Sequence, residues 1–270
     1  SDLYGNGHSE EVLGDALQDV RDKIIIATKV GTLPHTGFYM PQDFSPAHIK
    51  HGLESSLTRL RTDYIDLYQL HSPTAEILRQ NGQIFTTLQT LKEAGKIRAY
   101  GVSVRSPDDG LVAIQEFGVN IVQVNFNMID QRAIDNGLFE IAKEFDTGII
   151  IRTPLVFGYL SGSLTGNEQF PGVDHRANWP KEQLNRWANA PQLFTSLNEG
   201  KNRTYAQLAL RFCLSDAAVS TVIPGMMNVK EVEENVKTVD LAPLNFTEIA
   251  QIKQIYQNNC FYDKAAKGAK

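Results

Sequence analysis

Six short runs of β-branched and apolar residues, each set off by a longer stretch of helical periodicity, confine this chain to a narrow set of folds. The runs are Ile24 to Lys29, Tyr64 to His71, Ile97 to Ser103, Ile121 to Phe126, Gly148 to Leu155 and Ser220 to Gly225. Near-continuous apolar runs of this kind mark strands buried on both faces, as in a parallel sheet covered by helices. Between them, Ser45-Pro46 reads as a cap and first helical position, and Ile49, Leu53, Leu57 and Leu60 repeat behind it. Ile84, Leu88 and Leu91 form a second such stripe that Gly95 stops, and Ser106-Pro107 opens a third. Tyr205, Leu208, Ala209, Phe212 and Cys213 line a further helix. Strand and helix in alternation imply parallel strands joined by right-handed crossovers.

The count constrains the fold further. Six strands do not close an eight-stranded β/α barrel, and the helical stretch Ser9 to Leu17 has no strand before it. The pattern predicts either a smaller open sheet or a (β/α)8 barrel whose first one to two units lie ahead of Ser1. A chain of 270 residues suits one α/β domain over 1–270. The irregular stretch 157–201, with Phe170, Trp179 and Trp187, is long enough to predict a cofactor or substrate loop within that domain.

Composition narrows the function. A net charge of -5 and a pI near 5.7 provide no basic patch for nucleic acid. No apolar run approaches the ~20 residues that span a bilayer, and no His or Cys pair has metal-ligand spacing. Cys213 sits inside an apolar helical stripe, so a buried thiol is expected there and a reducing, cytoplasmic setting fits.

Candidate chemistry lies at the carboxyl ends of the strands, where barrel sites form. Lys29 ends the first run, His71 the second and Ser103 the third, and Gln123 with Asn125 sits in the fourth. A lysine closing an apolar strand either snorkels to solvent or has a partner that offsets its burial.

The run Leu3-Tyr4-Gly5-Asn6-Gly7-His8-Ser9-Glu10-Glu11, followed by Leu13-Gly14, resembles the tyrosine motif D-x-A-x-x-Y-G-x-G-x-S-E-x-x-L-G of the aldo-keto reductases. The resemblance continues in family order through Ala27-Thr28-Lys29-Val30, Asp63 to His71, Gly95 to Ser103, Gln123 to Asn127 and Ile223-Pro224-Gly225, and so covers essentially the whole chain. It implies a (β/α)8 barrel and hydride transfer between NAD(P)H and an aldehyde, ketone or sugar-like carbonyl. Tyr4 matches the general acid, Lys29 its activator and His71 the residue that orients the carbonyl. The chemistry is sound in its own right: a phenol of pKa ~10 donates poorly near neutrality, and an adjacent ammonium favours its phenolate. The family carboxylate, five residues before the tyrosine, would fall just before Ser1; Asp2 is too close to Tyr4 to match it.

The resemblance also implies a nicotinamide site. Ser103 and Gln123 match its carboxamide pair, although the usual Asn after the serine is Val104. Arg152 stands where a planar group packs on the nicotinamide. Leu155, Gly158, Leu160 and Ser161 match the pyrophosphate loop, and Gly225, Glu234 and Asn235 the adenosine end. NADP(H) is the family default, but Gly225, Met227 and Glu231 stand where a basic group would grip the 2'-phosphate, which makes NAD(H) a live alternative. The other readings are a family member that binds cofactor without turnover, as sensor or partner subunit, and an aldolase with Lys29 as Schiff base. Phe38 and Tyr39, and Phe261 or Tyr262, are candidate substrate contacts. The sequence specifies neither the substrate nor whether the chain is a monomer or a homo-oligomer.

Overall fold

The computed structural model describes residues 1–34, 40–172 and 174–262. Phe38 and Tyr39 lie outside the described residues. Six parallel strands carry the fold: β1 Ala27–Val30, β2 Ile65–His71, β3 Ile97–Ser103, β4 Ile121–Asn125, β5 Gly148–Arg152 and β6 Val219–Ile223. Strand neighbours follow chain order from β1 to β6. Helices α1 His8–Leu17, α2 Pro46–Leu60, α3 Ala75–Gln80, α4 Ile84–Glu93 and α5 Pro107–Phe117 precede β4 or flank it. After β4 come α6 Arg132–Asp135, α7 Leu138–Glu144, α8 Lys181–Asn189, α9 Thr195–Asn198, α10 Tyr205–Cys213, α11 Val229–Val236 and α12 Phe246–Asn258. This α/β arrangement of parallel strands and helices is consistent with a β/α barrel. No described helix is long and apolar enough to cross a membrane.

The chain divides into two compact units: Ser1–Gln123 with Glu144–Thr147, and Val124–Lys143 with Gly148–Lys270. In the first, β2 is buried at every position, as a strand covered on both faces must be. Helix α2 follows its sequence signals closely. Ser45 Oγ accepts from the His48 N–H, and Ile49, Leu53, Leu57 and Leu60 are buried. Helix α1 packs so tightly on α2 that a Cβ at Gly14 would lie 2.4 Å from the Arg59 carbonyl oxygen, which explains a glycine inside a helix despite its low propensity.

Strand β1 is shorter than the run from Ile24 to Lys29 predicted. Gln18–Lys23 forms a 3-10 turn, Ile25 is 83 % exposed, and the Ile26 N–H donates to the Asp66 carboxylate at 2.9 Å instead of to a neighbouring strand. Asp66 also accepts from Arg21 at 2.8 Å and Arg98 at 2.9 Å, and both guanidiniums lie over the Tyr64 ring. This buried carboxylate is thereby paired, as its burial demands, and anchors the entry to β1.

In the second unit, Cys213 is buried on α10, with its thiol against the Phe126 carbonyl oxygen. The stretch 157–201 is more ordered than its composition predicted, since it contains α8, α9 and three 3-10 turns. Leu184, Trp187 and Ala188 give α8 a buried face at three- and four-residue spacing. Trp187 is fully buried against Phe157, Tyr159, Trp179 and Tyr262. Trp187 therefore packs this segment, and Tyr262 is part of the same aromatic cluster.

Candidate active site

Strand register sets up the first unit's site. Lys29 pairs with Gln69 across β1 and β2, His71 with Ser103 across β2 and β3, and Ser103 with Gln123 across β3 and β4. Each of these polar residues is buried. His71 and Ser103 end their strands and Lys29 is next to last in its own, at the edge where α/β folds place ligands.

Tyr4 meets this row from outside the sheet. The turn before α1 carries it, closed by N–H bonds from Tyr4 to Ser1, Asn6 to Leu3 and His8 to Gly5, with the Ser9 N–H returning to the Tyr4 carbonyl at 3.2 Å. Asn6, Gly5 and Gly7 all take positive φ in this turn, a demand glycine meets without strain. Lys29 Nζ lies 5.6 Å from the Tyr4 ring centroid. The His71 ring stands edge-on to the same ring, with centroids 5.9 Å apart and an 89° interplanar angle. Lys29 is 7 % exposed and His71 4 %, whereas Tyr4 is 48 % exposed. The arrangement thus sets an ammonium and an imidazole, both buried, beside a phenol ring that solvent reaches.

His71 is held by its backbone. Its carbonyl oxygen accepts from Thr32 Oγ1 at 2.9 Å and Gln42 Nε2 at 3.0 Å, and its Nδ1 lies 3.3 Å from Ser1 Oγ. Asp2, considered too near Tyr4 to match the family carboxylate, donates its N–H to the Lys29 carbonyl at 3.4 Å, and burial first, then Glu10, pushes its carboxyl above the ordinary range. Ser103 Oγ is buried with no protein hydrogen-bond partner, next to Gln123, whose Oε1 accepts from Gln69 Nε2 at 3.2 Å. An orphaned hydroxyl of this kind suits a ligand amide. Among the described residues, no group of three or more His, Cys, Asp or Glu is placed to hold a metal ion.

The second unit holds the other candidate positions. Arg152 ends β5, and Thr153, Val156 and Phe157 then take positive φ, followed by Gly158 at 100°. Three non-glycine residues in that region concentrate strain of a kind found at ligand sites. Leu155 and Leu160 are buried, the Gly158 and Leu160 N–H groups both donate to the Leu155 carbonyl, and Ser161 Oγ donates to the Gly158 carbonyl at 2.6 Å. Gly225 has open space around its Cα. Glu234 accepts from Thr204 Oγ1, and Asn235 Nδ2 is buried without a hydrogen-bond partner. The Glu231 carboxylate accepts from the Met227 N–H at 2.7 Å and from Asn228 Nδ2 at 2.9 Å.

Sequence reasoning overlooked two polar residues here. Gln69 is buried in the row, and Glu10 is a buried carboxylate at the start of α1. The motif letters contain both, but an acidic residue in a first helical turn ordinarily reads as solvent-facing.

Buried ionisable groups at the carboxyl ends of parallel strands place this chain among the α/β proteins that work at that edge of the sheet. More particularly, it belongs to the aldo/keto reductase family, whose family model matches residues 1–257. The chain is 30% identical over 257 residues to the uncharacterized oxidoreductase YqkF of Bacillus subtilis, covering 94% of this chain and 80% of that protein. It is 32% identical to the aldo-keto reductase yakc [NADP(+)] of Schizosaccharomyces pombe, over 87% of this chain and 71% of the relative. Among solved structures, the glycerol dehydrogenase of Gluconobacter oxydans matches with a TM-score of 0.77 and 29% identity, covering 97% of this chain and 81% of that one.

Proposed function

We propose that this chain catalyses reversible reduction of a small aldehyde, ketone or sugar-like carbonyl with a nicotinamide cofactor, and that Tyr4 is the general acid. The observation that carries this reading is the convergence of Lys29 Nζ and the His71 ring on the Tyr4 ring. A bound reduced nicotinamide supplies the hydride that the carbonyl carbon accepts. Tyr4 delivers a proton to the carbonyl oxygen, so the product forms as an alcohol rather than an alkoxide. Lys29 stabilises the phenolate left behind, and His71 orients the carbonyl oxygen. Half-exposure of Tyr4 supplies the route by which solvent restores the proton.

The residues fit such a cofactor. In the first unit Ser103 and Gln123 would take its carboxamide; in the second, the family motif assigns Arg152 to the ring face and the 155–161 turn to the pyrophosphate. Glu234 and Asn235 are assigned to the adenosine. NADP(+) appears in the name of the yeast relative, but Glu231 holds the Met227 N–H in this chain. A carboxylate there repels a 2'-phosphate, so NADH is read as a working cofactor alongside NADPH.

Replacing Tyr4 with Phe keeps the ring and removes the proton. Turnover on a panel of aldehydes should fall by about 10²–10⁴-fold, while NADH and NADPH quench intrinsic fluorescence with unchanged affinity. Turnover at the wild-type rate in Tyr4→Phe would overturn the assignment.

A further inference from the structure

The Glu10 carboxylate is 1 % exposed and ties its own helix α1 to two other elements of the first unit. Its Oε1 accepts from Thr28 Oγ1 on β1 and from Ser56 Oγ on α2 at 3.0 Å. Its Oε2 accepts from Arg59 Nε at 2.8 Å and pairs with Arg59 Nη2 at 2.7 Å. Thr28 is the residue before Lys29, and Ser9, the residue before Glu10, donates its N–H to the Tyr4 carbonyl. One carboxylate therefore stands a single residue from each side of the Tyr4–Lys29 pair. Arg59 also covers the turn, since a Cβ at Gly7 would lie 2.7 Å from Arg59 Nε.

Magnitudes favour a role beyond stability. An exposed ion pair is worth about 1 kcal/mol or less, whereas a buried carboxylate must be fully hydrogen-bonded to persist. Four acceptor contacts on one carboxylate meet that demand and fix its position. The strand and the turn also meet where the Asp2 N–H reaches the Lys29 carbonyl at 3.4 Å and where Lys29 Nζ lies over the Tyr4 ring.

We propose that Glu10 is a positioning residue that, through Thr28, holds the Lys29-bearing strand at a set distance from the Tyr4-bearing turn. This rests on the reading of Tyr4 as acid and Lys29 as its activator. The contact to β1 changes no charge when it is removed from the threonine side, so a response of Tyr4 to its loss reports geometry. The charged and titratable groups that face the carboxylate include Arg59 on α2, Asp2 in the turn and the Tyr68 phenol on β2.

The test is Thr28→Val, which preserves shape and deletes the hydroxyl. Ionisation of Tyr4 is read in the apoprotein as the ultraviolet difference between each protein and its Tyr4→Phe counterpart, with neither substrate nor cofactor present. The expected result is that Tyr4 ionises at a pH higher by about half a unit or more, that kcat falls about tenfold with KM within twofold, and that Thr28→Ser restores both. Glu10→Gln, which keeps the Thr28 contact and loses Arg59, should move Tyr4 less than Thr28→Val does. Unchanged ionisation in Thr28→Val, with or without a lower melting temperature, overturns the proposal. Retained turnover in Tyr4→Phe would instead overturn the acid assignment and leave the ionisation readout standing.

Discussion

Ser103, in its proposed role, would serve binding at the expense of the empty fold. Its hydroxyl is buried and unpartnered, which costs about 1–3 kcal/mol. Ser103→Ala should therefore raise the apoprotein's melting temperature, by about 2–4 °C per kcal/mol recovered in a chain of this size. The same change should weaken nicotinamide binding several-fold, since a net hydrogen bond contributes about 0.5–1.5 kcal/mol. Thermal melts and fluorescence titrations on the same samples check both signs, and a variant that melts lower and binds equally well contradicts the assignment. At this scale the sequence was informative where a polar residue interrupts an apolar strand: Lys29, His71 and Ser103 announce themselves that way. Glu10 did not, because burial of a helix-start carboxylate depends on Thr28, Ser56 and Arg59, which are brought to it only by folding.

Helix α12 illustrates how an element is held by its first turn. Asn245 and Glu248 form a reciprocal capping box, and Glu248 also accepts from Arg203 Nη2 at 2.8 Å. Burial pushes the Glu248 carboxyl up, but the Asn245 N–H and the Arg203 guanidinium outweigh it and hold the group below the ordinary glutamate range. A carboxyl depressed on folding adds stability above its unfolded pKa, near 4.3, and loses that contribution as pH falls through its lower folded value. Glu248→Gln should thus lower the melting temperature at pH 7, with the gap to wild type closing below about pH 4. A gap that stays constant from pH 7 to pH 3 would refute this. Caps and periodicity made α2, α4, α5 and α10 legible from residue order alone. The extent of β1 and the helices within 157–201 were not, because Asp66 captures the Ile26 N–H and Trp187 organises α8, both through contacts distant in sequence.

For the molecule as a whole, the proposed chemistry is divided between two kinds of support. Lys29, His71, Ser103 and Gln123 are fixed by paired strands, whose opening requires the sheet of the first unit to come apart. Tyr4 rides on a turn closed mostly by hydrogen bonds between residues three to five apart, and such local structure opens at a fraction of the global free energy. Warming should therefore silence the enzyme before it melts: the midpoint for reversible loss of turnover should fall below the calorimetric transition, and amide hydrogens of residues 4–10 should exchange faster than those of β2. Coincident midpoints with equal protection would show that the turn shares the cooperativity of the sheet. If the two separate, heat acts on this protein first as a reversible off-switch, and recovery on cooling needs only the re-seating of one tyrosine.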